Sequence, residues 1–123
     1  MKLGDLIRLL EPFKNENKCV MLDGNYTACT NIEFISYRGN RRDLAIDFSF
    51  ESKHKDITSE FLYNKLLDVR NTSLTGYEGG KFLMDDEVNV YVDKHGECSG
   101  RLIIGVGLSY GNIDIITYYQ NKY

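Results

Sequence analysis

A chain of 123 residues, 42% hydrophobic and 27% charged, has material for one hydrophobic core and too little for an enzyme with separate cofactor and substrate lobes. Those proportions exclude disordered, collagen-like and disulfide-scaffold proteins. A formal net charge of -3 argues against duplex nucleic acid as a partner, because neutralising a phosphate backbone needs a basic face, and leaves a small anionic ligand open.

Residues 1–57 carry nine Lys and Arg against nine Asp and Glu, and residues 58–123 carry six against nine; the excess acid therefore lies in the second half. No long apolar run occurs and no signal-peptide core precedes the first charges, so neither membrane spanning nor export is expected. Cys19, Cys29 and Cys98 form no CxxC pair and read as reduced thiols in a cytosol.

In chain order, Leu3, Leu6, Ile7 and Leu10 form an i, i+3, i+4, i+7 stripe closed by Pro12, which predicts a short amphipathic helix over residues 3–10. Cys19-Val20-Met21-Leu22, followed by the turn residues Asp23-Gly24-Asn25, predicts a buried strand entering a hairpin. Ile32 and Phe34 begin an alternating segment that runs to Arg38-Gly39-Asn40, and Leu44, Ile46, Phe48 and Phe50 continue it in a second strand. Asp56 or Thr58 can cap a helix with Phe61, Leu62, Leu66 and Val69 on one side. Residues 71–81 read as a loop holding Gly76-Tyr77-Glu78-Gly79-Gly80. Strands then follow at Val88–Val92, Leu102–Leu108 and Ile113–Tyr119.

The expected class is therefore α+β in a single domain. It is built from two halves, 1–57 and 58–123, each a helix followed by an antiparallel meander. Apolar positions of the halves superpose at an offset of about 69 residues, Leu44 on Ile113 and Ile46 on Ile115 among them, which is either an internal duplication or the ordinary sliding of two alternating patterns. Only the second half holds an inserted Gly-rich loop, over residues 74–86, where specialised function would most economically sit.

Asp93, His95 and Cys98 have the residue types of an orienter, a base and a nucleophile, but a short loop supplying all three is more often a polar turn. The scattered His and Cys give no closed metal set, and no cofactor is expected. Gly76, Gly79 and Gly80 lie between a helix and a strand, the reverse of a dinucleotide or P-loop fingerprint. What remains is a loop whose backbone can approach a ligand, flanked by Tyr77 and Phe82, rings that can stack on a base; its alternative is a loop over the sheet with Phe82 plugging the core. Arg101, and Arg38, Arg41 and Arg42 at the matching turn, supply forks suited to phosphate. Tyr118, Tyr119 and Tyr123 with Ile116 make the last strand aromatic on both faces, which points to an oligomer interface.

The runs Leu74-Thr-Gly-Tyr-Glu-Gly-Gly-Lys-Phe82-Leu-Met, Val88-Asn-Val-Tyr-Val-Asp93 and Gly100-Arg101-Leu-Ile-Ile-Gly-Val resemble the first type of Thoeris anti-defence protein. These are phage-encoded oligomeric sponges for the cyclic ADP-ribose isomer made by a TIR-domain enzyme, and some members also hold cyclic oligonucleotides. The resemblance, carried mainly by residues 74–108, implies a homo-oligomer, hexameric in that family, acting in the host bacterial cytoplasm and binding its ligand without catalysis. It implies a site with Phe82 stacking on the base, Asn89 or Tyr91 with Asp93 on base edges, and Arg101 on phosphate. Arg38 or Arg41 of a neighbouring subunit would close that site. The alternative is a phage inhibitor that docks on a host defence protein through a strand edge and its tyrosines, with no small ligand.

Overall fold

The computed structural model describes residues 1–35, 43–76, 78–93 and 101–119. Helix α1, Leu3–Leu10, buries the whole expected stripe, and Pro12 follows in a 3₁₀ turn, Glu11–Phe13, near whose start its missing N–H is harmless. Strands β1 (Val20–Leu22), β2 (Asn31–Ile35) and β3 (Asp43–Ser49) come next, then helix α2 (Ser59–Val69). The Thr58 hydroxyl caps α2 by accepting from the Phe61 N–H at 3.1 Å. Leu62, Leu66 and Val69 face the core. Phe61, expected beside them, stays 36% exposed with the Lys65 ammonium 5.4 Å from its ring; one residue before Leu62, it is turned off the buried stripe by the helical repeat.

The remaining elements are β4 (Ser73–Thr75), β5 (Lys81–Leu83), β6 (Asn89–Asp93), β7 (Arg101–Ser109) and β8 (Asn112–Tyr119). The segment expected as a loop, residues 71–81, instead contains β4 and the first residue of β5, which form a small antiparallel hairpin in which Leu74 stands opposite Phe82. Its strands are too short to show alternation in the sequence.

The other six strands form one mixed sheet in the order β1-β8-β7-β6-β3-β2, and with the two helices they make an α+β domain. The second half is the expected meander, β6-β7-β8. In the first half the expected hairpin after β1 does not form: β1 lies parallel to β8, with Val20 beside Ile113 and Leu22 beside Ile115. The turn signal itself is real, since Asp23 and Gly24 take φ of 50° and 71°, but it ends an edge strand and does not lead into a partner.

Strands β1, β3, β6 and β8 run in one direction, and β2 and β7 run against them. The two parallel seams pair like with like. Leu44 beside Val90 and Ile46 beside Val92 correspond to Ile113 beside Val20 and Ile115 beside Leu22. The inner face of the sheet carries Val20, Ile32, Leu44, Ile46, Phe48, Val90, Val92, Ile103, Ile113 and Ile115, and the stripes of α1 and α2 close over it as one core. The sheet curls enough for its opposite edges to meet at one point: the Cys29 N–H, just ahead of β2, donates to the Val20 carbonyl of β1 at 2.8 Å.

At the base, where β6 begins, α1 is tied in by the Leu3 N–H on the Val88 carbonyl at 2.8 Å and the Gly4 N–H on the Asp86 carbonyl at 3.1 Å. The opposite end, where β1, β3, β6 and β8 finish and β7 begins, is the mouth. Among the described residues no helix is long and apolar enough to cross a membrane.

Candidate functional site at the mouth of the sheet

A cavity of about 420 Å³ opens at the mouth. Leu22, Phe48, Phe50 and Val92 form its apolar wall, Asp23, Asp93 and Arg101 its charged part, and Gly24, Asn25 and Tyr26 its rim. The strand directions explain the gathering: residues at the ends of β1, β3 and β6 and the first residue of β7 come from four distant stretches and converge because those strands share a sheet end.

The rim is held rigidly. The Asp23 N–H donates to the Ile115 carbonyl at 2.9 Å, the Asn25 N–H to the Leu22 carbonyl at 2.9 Å, and the Gly24 N–H to the Asp114 carboxylate at 2.8 Å. The Asp23 carboxylate takes the Thr117 N–H at 2.7 Å on one oxygen, and the Thr117 hydroxyl at 2.6 Å and Arg101 Nη1 at 3.1 Å on the other. A guanidinium offers several donors in a planar fork, the geometry that suits carboxylates and phosphates. The Arg101 and Asp23 side chains are 41% and 30% exposed, and a pair this open contributes at most about 1 kcal/mol to stability. The pair sets fixed charge beside the apolar rings of Phe48 and Phe50 at the cavity opening.

Of the residues expected at a site, Arg101 and Asp93 line this cavity. Phe82 does not. Its ring packs half-buried against the core from the β4–β5 hairpin, close over Gly80, and that hairpin is tied towards the base by the Met84 N–H on the Thr72 carbonyl and by the Asp86 contact to α1. This agrees with the core-plug alternative for Phe82. Asn89 stands at the base end of β6, bridged to Lys2, a strand length of roughly 13 Å from Asp93. Tyr91 is buried on the outer face between Ala45 and Leu102. Arg38 and Arg41 lie outside the described residues, as do Tyr77, His95 and Cys98.

The other two thiols are poor nucleophiles: burial pushes Cys29 up to about 11, and burial together with the nearby Asp56 carboxylate raises Cys19. No group of three or more His, Cys, Asp or Glu that could hold a metal occurs among the described residues.

The sequence reading missed Asp23, Tyr26, Thr117, Phe48 and Phe50 as a group. Asp23 carried a signal, but as a turn residue. Nothing local says that residue 23 meets residue 117, because that contact follows from the parallel pairing of β1 with β8.

No family model matches this chain, and no match was found among curated proteins or solved structures.

Proposed function

We propose that this protein captures a cyclic nucleotide signal of the cyclic ADP-ribose kind and holds it without cleaving it. On this reading it is a phage-encoded sponge that starves a bacterial defence effector, working in the host cytoplasm as a homo-oligomer. The observation that carries the reading is the mouth: Arg101, half-exposed, opens on a cavity of about 420 Å³ beside Phe48, Phe50 and Tyr26. That volume falls within the roughly 300–1,000 Å³ of small-ligand pockets. A guanidinium supplies the phosphate contact and rings supply stacking for a base. The stacking role expected of Phe82 passes to Phe50 or to Tyr26, which is 93% exposed at the rim and can close on a ligand without leaving any packed position.

Isothermal titration with cyclic ADP-ribose isomers, followed by heat release of the ligand, tests the proposal. Saturable binding and recovery of intact ligand are expected; no binding to any isomer, or a cleaved product, ends it.

A second reading, direct inhibition of a host protein, draws on exposed apolar side chains of the last two strands: Ile104, Leu108, Ile116 and Tyr118. A stoichiometric host protein retained by the chain in a lysate, together with no heat from any nucleotide, would favour it.

A further inference from the structure

Resting on the nucleotide reading above, we infer that Tyr26 is a side-chain gate, whose ring closes over a planar aromatic base seated in the mouth and slows release of the ligand. The backbone around it is pinned on both sides. Before it, the Gly24 N–H donates to the Asp114 carboxylate at 2.8 Å and the Asn25 N–H to the Leu22 carbonyl at 2.9 Å. After it, the Cys29 N–H donates to the Val20 carbonyl at 2.8 Å, the Cys29 carbonyl accepts the Ile57 N–H at 2.9 Å, and the Cys29 side chain is fully buried. Tyr26, Thr27 and Ala28 are all that lies between these anchors, too short a span for a lid that swings on its backbone. The ring is at the opposite extreme, 93% exposed although its residue lines the cavity. Movement at the rim is therefore rotation of one side chain about its torsions on a fixed strap.

The rest of the aromatic lining does not move in this way. Phe48 is buried and Phe50 packs half-buried against the core, so they form a fixed wall and Tyr26 the movable one. A base resting on that wall offers its other face to a ring that has no packing of its own to give up. The ordering cost is small, because a tyrosine side chain has two torsions to fix. Stacking of one aromatic side chain on a base is worth roughly fivefold to a hundredfold in affinity. The gain falls on one side of the kinetics. Exposed side chains change rotamer in picoseconds to nanoseconds, far faster than a ligand arrives, so the gate does not slow entry; once closed, it must open before the ligand leaves. A sugar phosphate without a base presents no flat face and passes the gate unheld.

The experiment uses the full chain with cyclic ADP-ribose and, as a base-free probe, ribose 5-phosphate. Association and dissociation rates are measured for the wild type, Tyr26→Ala and Tyr26→Phe. Tyr26→Ala is expected to raise the dissociation rate roughly fivefold to a hundredfold and to leave the association rate within about twofold. Tyr26→Phe, which keeps the ring, should match the wild type, and all three should share one melting temperature because the side chain is exposed. The chain contains no tryptophan, so Tyr26→Trp places a single fluorophore on the gate: cyclic ADP-ribose should quench it by stacking, and ribose 5-phosphate should not. An unchanged dissociation rate in Tyr26→Ala, a loss confined to association, failure of Tyr26→Phe to match the wild type, or equal quenching by the two probes overturns the gate, while binding of cyclic ADP-ribose keeps the nucleotide reading. If cyclic ADP-ribose does not bind the wild type, the reading and the gate fall together.

Discussion

At the scale of single residues, Arg101 is where charge, position and exposure coincide. Removing a charged hydrogen-bonding partner from a ligand costs about 1.5–3 kcal/mol, so Arg101→Ala should weaken nucleotide binding by roughly tenfold to a hundredfold. Arg101→Lys should recover only part of this, because an ammonium cannot serve Asp23 and a phosphate in one plane; titration of both variants checks the order. Phe82→Ala is expected to leave affinity within twofold and lower the melting temperature, which separates a core ring from a stacking ring. Cys29 gives a pH prediction. Its thiol is held neutral by burial, with its pKa pushed up to about 11 from an ordinary value of 9.0. The folded state therefore binds that proton more tightly than the unfolded chain, and the corresponding stability, complete below pH 9.0, is lost as pH rises towards about 11. Denaturant midpoints measured across that range should fall, and more steeply than in Cys29→Ala.

At the scale of elements, local chemistry specifies α1 and α2 well. The Leu3, Leu6, Ile7 and Leu10 stripe is complete in eight residues, and Thr58 is the cap that the sequence offers. Thr58→Ala should destabilise the fold by about 1 kcal/mol while leaving ligand affinity unchanged, measured by urea unfolding and titration side by side. The strands of β3, β6 and β8 were legible for the same reason, since Leu44, Ile46 and Phe48, or Ile113 and Ile115, repeat every second residue on a half-buried face. Element partners were not legible. Asp23-Gly24-Asn25 has the composition of a hairpin turn, and only the pairing of Val20 with Ile113, far along the chain, decides that the strand runs parallel to its neighbour. The candidate site was half legible on the same grounds: Arg101 and Asp93 lie on strands whose ends the alternation marks, whereas Asp23 meets Thr117 only through a seam that no local pattern encodes.

At the scale of the whole molecule, the helices cover the inner face of the sheet, and the β7–β8 part of the outer face keeps apolar side chains in the open. Ile116 and Tyr118, two positions apart on β8, share that outer face and are 38% and 59% exposed. Association of copies through this face would serve the proposed oligomer, and Tyr118→Asp should then lower the mass measured by light scattering without changing the far-ultraviolet circular dichroism. An unchanged mass would remove β8 from the interface. The two parallel seams pair similar residues, Leu44 with Val90 and Ile113 with Val20, but they contribute differently to the mouth. Asp23 with Arg101 and Thr117 belongs to the β1–β8 side, and the β3–β6 side contributes Phe48, Phe50 and Asp93. One seam thus supplies most of the charge and the other most of the aromatic surface.

The parallel seam between β1 and β8 also sets a timetable. Residue 20 waits for residue 113 before it has its strand partner, and Asp23 waits for Thr117 before its carboxylate is held. A chain emerging from the ribosome at roughly 5–20 residues per second can form α1 early, but it cannot close the sheet or assemble the mouth until nearly all the strands are out. Such long-range closure is slow to nucleate. Stalled or shortened chains that stop before β8 should therefore have neither a finished core nor a ligand site, so capacity for the nucleotide would appear abruptly with the last strand rather than grow with length.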